Sequence, residues 1–196
     1  NIGIVMRVGA DGTVYAIWAG ASSADPNLGV RFAKSTNGGR RFSKAVKIAD
    51  MLGVGVSGYR SGVILPSFDI DPITGDLYVA WADARFTETP IVFTDRARDG
   101  GATWSEPMRV DDRADDAPTI TVQVAASGAG EIAVGYYALQ SDTTAPFDYL
   151  LNRSADGGVT FEREVSASRK AVDARFAPRA GRGAGVVFLG DDVGVA

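Results

Sequence analysis

Ser154-Ala155-Asp156-Gly157-Gly158-Val159-Thr160-Phe161 is the most telling stretch of the chain, because the same arrangement occurs twice more. The other copies are Ser35-Thr36-Asn37-Gly38-Gly39-Arg40-Arg41-Phe42 and Ala97-Arg98-Asp99-Gly100-Gly101-Ala102-Thr103-Trp104. Each has a small residue, then Asp or Asn two positions on, a Gly pair, and a large aromatic. The Asp or Asn positions lie 62 and 57 residues apart, and a constant long period is the mark of stacked supersecondary units. An Asp or Asn side-chain oxygen accepts backbone N–H groups a few residues on, and Gly tolerates the positive φ of a tight turn. Thr103 and Thr160 suit a departing strand, and Phe42, Trp104 and Phe161 offer apolar bulk to bury against a neighbouring repeat.

A second marker keeps phase with the first. Gly12-Thr13-Val14-Tyr15-Ala16-Ile17-Trp18, Gly75-Asp76-Leu77-Tyr78-Val79-Ala80-Trp81 and Gly130-Glu131-Ile132-Ala133-Val134-Gly135-Tyr136 begin 24 to 26 residues before the Asn or Asp of a turn. Apolar-rich runs such as Gly29-Val30-Arg31-Phe32-Ala33, Ser67-Phe68-Asp69-Ile70 and Ile91-Val92-Phe93-Thr94 lie between and before the markers. Each repeat therefore reads as four short strands separated by turn residues.

These turns resemble the Asp-box, or BNR, repeat of sialidases and other extracellular propeller proteins, over nearly the whole chain. The copy at Asp156 matches fully, the copy at Asp99 has Ala97 in the Ser or Thr place, and the copy at Asn37 has a neutral acceptor and Arg41 in the Thr place. The resemblance implies an all-β propeller of four-stranded antiparallel blades. It also implies that Asn37, Gly39, Phe42, Asp99, Gly101, Trp104, Asp156, Gly158 and Phe161 are architectural. Blades are expected over residues 4–49, 64–111 and 118–167, with 185–196 opening a further blade, in one partial domain of a six- or seven-bladed ring. A second copy of the chain could close such a ring as a homodimer. The family setting implies secretion.

Composition narrows the chemistry. The 196 residues contain no Cys and no His, which removes disulfides, thiolate metal sites, and the usual general base and metal ligand. A net charge of −4 without a basic cluster argues against nucleic acid. No apolar run approaches the roughly 20 residues of a membrane helix.

In an antiparallel four-strand meander, the turns joining strands one to two and three to four emerge at one end. The other end carries the longer connections, predicted at 19–29, 49–63, 82–90, 110–118, 138–147 and 165–182, where binding sites are usually built. Candidate residues there are Tyr59, Arg60, Asp83, Arg85, Asp111, Asp112, Arg113, Asp115, Asp116, Asp142, Arg169, Arg175, Arg179 and Arg182. By resemblance, a sialidase uses an arginine cluster for the substrate carboxylate, a Tyr nucleophile assisted by Glu, and an Asp acid/base. Arginine suits the first task because its planar fork binds a carboxylate bidentately. Asp83 and Arg85 read first as a local ion pair fixing a loop, with ligand contact the second reading. The run 111–116 offers oxygen ligands for Ca²⁺ but lacks an EF-hand pattern, so it reads first as a solvated inter-blade connection. Trp18, Trp81 and Trp104 sit at repeat positions and read as inter-blade core, and of Tyr136 and Tyr137 one must face away from that core. The Arg-Ile-Pro motif that the family carries early in its propeller is absent. Two functions stay open: a glycan-directed hydrolase, or a noncatalytic propeller that binds a glycan or protein.

Overall fold

A computed structural model describes residues 1–60, 65–114, 116–140, 146–180 and 185–190. Three antiparallel sheets follow one another, each a four-strand meander. Blade one comprises β1 (Ile2–Val8), β2 (Val14–Ser22), β3 (Asp25–Ser35) and β4 (Val46–Asp50). Blade two comprises β5 (Ser67–Ile70), β6 (Leu77–Asp83), β7 (Ile91–Ala97) and β8 (Met108–Arg109). Blade three comprises β9 (Thr119–Gly128), β10 (Glu131–Ala138), β11 (Asp148–Ser154) and β12 (Val165–Ser166). A 3₁₀ turn at Ala174–Phe176 leads to the pair β13 (Arg179–Ala180) and β14 (Val186–Val187). Of the stretch 185–196 expected to open another blade, Val186–Val187 is thus a strand, whereas 191–196 lie outside the described residues. The fold is all-β, three blades of an open β-propeller arc.

Alternation along the second strands builds the interfaces between blades. Leu77, Val79 and Trp81 face blade one, where they meet Tyr15, Ile17, Val30 and Phe32. Tyr78 and Ala80 turn the other way, toward Ile132, Val134 and Tyr136 of blade three. Side chains on the first strands lace the inner edge: Asp69 accepts from Arg7 Nε at 3.0 Å and from the Ala126 N–H at 2.9 Å. Ser67 Oγ accepts the Val124 N–H at 3.0 Å.

The glycine turns close β3 to β4, β7 to β8 and β11 to β12. Asp156 Oδ1 accepts the N–H groups of Val159 and Thr160 at 2.9 and 3.0 Å, and its Oδ2 accepts Thr160 Oγ1 at 2.6 Å. Asp99 repeats this with Ala102 and Thr103. Asn37 Oδ1 accepts the Arg41 N–H at 2.9 Å. Both glycines of each turn have positive φ, between 64° and 80°. Gly101 also has no room for a Cβ, which would collide with the Phe32 ring.

The turns of blades two and three dock on the preceding blade. Lys34 Nζ of blade one donates to the Gly100 carbonyl at 2.7 Å, and Arg96 Nη1 of blade two donates to the Gly157 carbonyl at 2.5 Å. Trp104 meets Phe32 edge-on at 5.4 Å between ring centroids, and Phe161 packs into the blade two–blade three cluster. The expectation for Phe42 fails for this reason. Blade one's turn has no described blade to dock on, so Phe42 is 37% exposed, and Ile4, Met6 and Val8 on β1 of the same blade are also exposed. Trp81 is fully buried and Trp104 packs in the same cluster, but Trp18 is only half-buried, on the open face of blade one. The predicted loop at 19–29 is also corrected: β2 and β3 extend through it and pair to Ser22–Asp25, because Arg31 bonds the Gly20 carbonyl and Asp25 and holds the ribbon.

Candidate functional site

The connections at the end opposite the glycine turns carry the predicted site residues, and the structure divides them into separate groups. Asp83, at the end of β6, is fully buried and accepts four bonds: from Leu52 N–H (3.0 Å), Arg85 N–H (3.0 Å), Trp81 Nε1 (3.1 Å) and Arg85 Nε (2.6 Å). Its oxygens are consumed by the fold, and it acts by aiming Arg85. Asp111 is used the same way, accepting the Val92 N–H at 2.7 Å and Arg109 Nη2 at 2.9 Å. Asp112 faces the largely exposed Arg163 at 3.7 Å.

Tyr59 and Arg60 belong to another group. The chain at 58–60 pairs with β14 through Val187 N–H to the Gly58 carbonyl and Arg60 N–H to the Val187 carbonyl, both at 2.8 Å. Tyr59 is buried against Phe147 and Val187 in a third apolar cluster, and burial raises its phenol pKa. Arg60 lies over the Phe188 ring at 4.6 Å, and Arg179 bonds the Gly185 carbonyl. Arg175 forms an exposed pair with Asp173, whose carboxyl the Arg175 guanidinium, helped by the Arg175 backbone N–H, holds down to about 2. The guanidiniums of Arg60, Arg85, Arg175 and Arg179 are each tied to their own local partner, in no common cluster. Asp115, Asp142 and Arg182 lie outside the described residues. Among the described residues no three acidic side chains converge in a way that would hold Ca²⁺ or another metal.

Among the described residues, two clefts open at these connections. One of about 170 Å³ is lined by Val56, Ser57, Glu88, Thr89, Asp116 and Pro118, so two carboxylates share it. The other, of about 490 Å³, is walled by Tyr137, Phe147, Phe176 and Phe188, with Asp173 at its edge. Tyr137, the member of its pair that faces away from blade two, therefore lines a cleft. Tyr136 is fully buried between blades two and three, its hydroxyl at 2.8 Å from Asn152 Oδ1 and 2.9 Å from Glu164 Oε2.

Sequence reading missed the aromatic partners of the arginines. Phe86 is 68% exposed beside Arg85, whose guanidinium carbon is 5.1 Å from the ring centroid, and Phe176 is 86% exposed next to Arg175. With Arg60 over Phe188, two Arg–Phe couples occupy this one end. The signal was present as Arg85-Phe86 and Arg175-Phe176, adjacent pairs in polar connections where a core aromatic has no reason to sit. Arg85 Nη2 is buried with no hydrogen-bond partner.

No family model matches the sequence, and no curated protein is detectably similar to it. Solved structures resemble it in fold. A Hadza microbial sialidase aligns at TM-score 0.57 with 18% identity over 81% of this chain and 36% of that one. The α-L-arabinanase of Penicillium chrysogenum, solved with arabinobiose, aligns at 0.56 with 16% identity over 84% and 48%. A polysaccharide lyase, an ulvan lyase, aligns at 0.60 with 11% identity over 87% and 44%. The chain thus spans between about a third and a half of the length of these structures.

Proposed function

We propose that this chain is an arc of a secreted Asp-box propeller that recognises an anionic glycan at its loop end. The observation that carries the reading is the set of Arg–Phe couples on that end. An exposed ring offers the apolar face on which a sugar stacks, and a guanidinium beside it binds a carboxylate or sulfate in a planar fork. Carbohydrate-active neighbours of the same fold support it. Recognition is favoured over catalysis for the described residues, because Tyr59 and Tyr136 are buried and no tyrosine at the loop surface is paired with a carboxylate. If hydrolysis of sialidase type occurs in the whole protein, Glu88 and Asp116 are the carboxylates placed to move protons, as both line one cleft. The test is calorimetric titration with sialylated, uronate-containing and neutral oligosaccharides. Phe86→Ala should weaken binding of the acidic ligand at least tenfold while leaving the unfolding midpoint unchanged. Equal binding of neutral and acidic ligands, or no effect of the substitution, is incompatible with the reading.

The bare turn of blade one points to a further blade of the same type against it. Lys34 and Arg96 show how such a contact is fastened, and Arg153 holds the same place, one residue before the turn, in blade three. We propose a second copy as that blade's source, closing a ring. Light scattering should then give twice the 20.5 kDa of one chain; a monomer assigns the face to another blade.

A further inference from the structure

The seam between blades two and three contains a hydrogen-bond count that does not close if every carboxyl is ionised. Tyr136 Oη lies 2.8 Å from Asn152 Oδ1 and 2.9 Å from Glu164 Oε2. Asn152 Nδ2 donates to the Glu162 carbonyl at 3.0 Å. A carbonyl only accepts, so the amide nitrogen must face Glu162 and the amide oxygen must face the phenol. The phenol has one proton for two acceptors. If Glu164 is ionised, either Asn152 Oδ1 or the carboxylate confronts the phenol oxygen lone pair to lone pair, in a site where Tyr136 is fully buried. A proton on Glu164 resolves this: Glu164 O–H donates to Tyr136 Oη, and Tyr136 O–H donates to Asn152 Oδ1.

We propose that Glu164 is kept as the neutral acid in the folded protein and that its proton is a pH-sensitive clasp among β10, β11 and the segment before β12, within blade three. The charged groups around it come from two elements. On its own segment, between the glycine turn and β12, stands Arg163, engaged with Asp112. From the connection after β8 come Asp111, Asp112 and Arg113. Burial raises the Glu164 pKa, and Asp112 and Asp111 add to this, against the opposing effects of the Tyr136 hydroxyl and Arg113. Arg113 is committed elsewhere, with Nη2 on the Leu139 carbonyl at 2.5 Å, and its Nε is buried without a partner. When Glu164 releases its proton to solvent, the carboxylate attracts that guanidinium and competes with Leu139 for it. The phenol is then left with one proton for both the carboxylate and Asn152 Oδ1, and one of its two contacts within blade three is lost.

Linkage sets the sign of the effect. The folded pKa lies above the unfolded value of about 4.3, so the clasp is complete below that value and is lost as pH rises through the folded pKa. Between the two, each pH unit lowers the folding equilibrium constant by up to tenfold relative to a variant without the titrating group. The experiment compares urea unfolding of wild type and Glu164→Gln from pH 4 to 8, with a parallel carbon-13 titration of the Glu164 carboxyl resonance in the wild-type protein. Glutamine keeps an N–H donor toward Tyr136 and cannot ionise. The expected results are a wild-type stability that falls relative to Glu164→Gln as pH rises, and a carboxyl midpoint above the ordinary glutamate range. Parallel pH profiles, or a carboxyl resonance that titrates at or below the ordinary value, overturn the proposal; the resonance decides it even if the variant fails to fold.

Discussion

Replacing Asp83 by alanine should lower the unfolding free energy by about 3–5 kcal/mol, in the range seen when one partner of a buried ion pair is removed. The carboxylate is fully buried and takes four donors from three places: the connection after β4, the β6 strand, and the loop that follows it. Its loss leaves the Leu52 N–H and the Trp81 indole N–H without an acceptor and Arg85 without its counter-charge. Asp83→Asn should cost less, since Oδ1 can still receive the two backbone N–H groups. Denaturant unfolding of both variants checks this. A change comparable to that of an exposed pair such as Asp173–Arg175 would mean that Asp83 is available to a ligand, and that the loop is held by something else. The same result bears on recognition, because Asp83 fixes the guanidinium that faces Phe86.

Asp95→Asn should have the opposite sign, stabilising the protein by about 1–3 kcal/mol at pH 8. Asp95 on β7 is 1% exposed. Its Oδ1 accepts Ser105 Oγ at 2.5 Å and the Arg96 N–H at 2.7 Å, while Oδ2 is buried with no partner. Burial, chiefly, and the nearby Glu106 push its pKa up to about 6. An aspartate raised from about 3.9 to that value favours folding while protonated, and this advantage disappears as pH rises through about 6. Blade three shows the repair: Asn152 occupies the same register and its Nδ2 reaches the Glu162 carbonyl at 3.0 Å. Blade one has Ala33 there. The amide introduced by the substitution keeps the Oδ1 acceptor and gains a neutral donor, so the benefit should be present at pH 8 and absent at pH 4. A variant no more stable than wild type at pH 8 would show that the bare oxygen is solvated in solution.

The architecture was legible because it is repeated. Asn37, Asp99 and Asp156 set three turns by local hydrogen bonds, which sequence spacing captures directly; repeat position put Trp81 in the core, and alternation on β10 required one of Tyr136 and Tyr137 to face away without saying which. What spacing could not convey was which neighbour each turn meets. Phe42 has the same local sequence role as Trp104 and Phe161, yet it is exposed because docking runs from each turn to the preceding blade. The site was less legible. Asp83 and Arg85 were correctly read as adjacent, but only the fold shows that Leu52, far along the chain, uses the same carboxylate. Tyr59 and Arg60 were sought at a loop surface, but β14 pairs with residues 58–60 and Tyr59 is buried there, while Arg60 stays exposed. Phe86 and Phe176 escaped because one exposed aromatic in a polar connection has no periodicity to announce it.

Glycan recognition at the loop end and architecture at the glycine-turn end are separable by amide chemical-shift mapping. The nitrogen-15-labelled protein would be titrated with an acidic oligosaccharide. Perturbations should cluster at Arg85, Phe86, Arg175, Phe176 and Phe188 and leave the amides of 37–42, 99–104 and 156–161 in place. Perturbations confined to those turns, or none at millimolar ligand, would rule out the division of labour between the two ends.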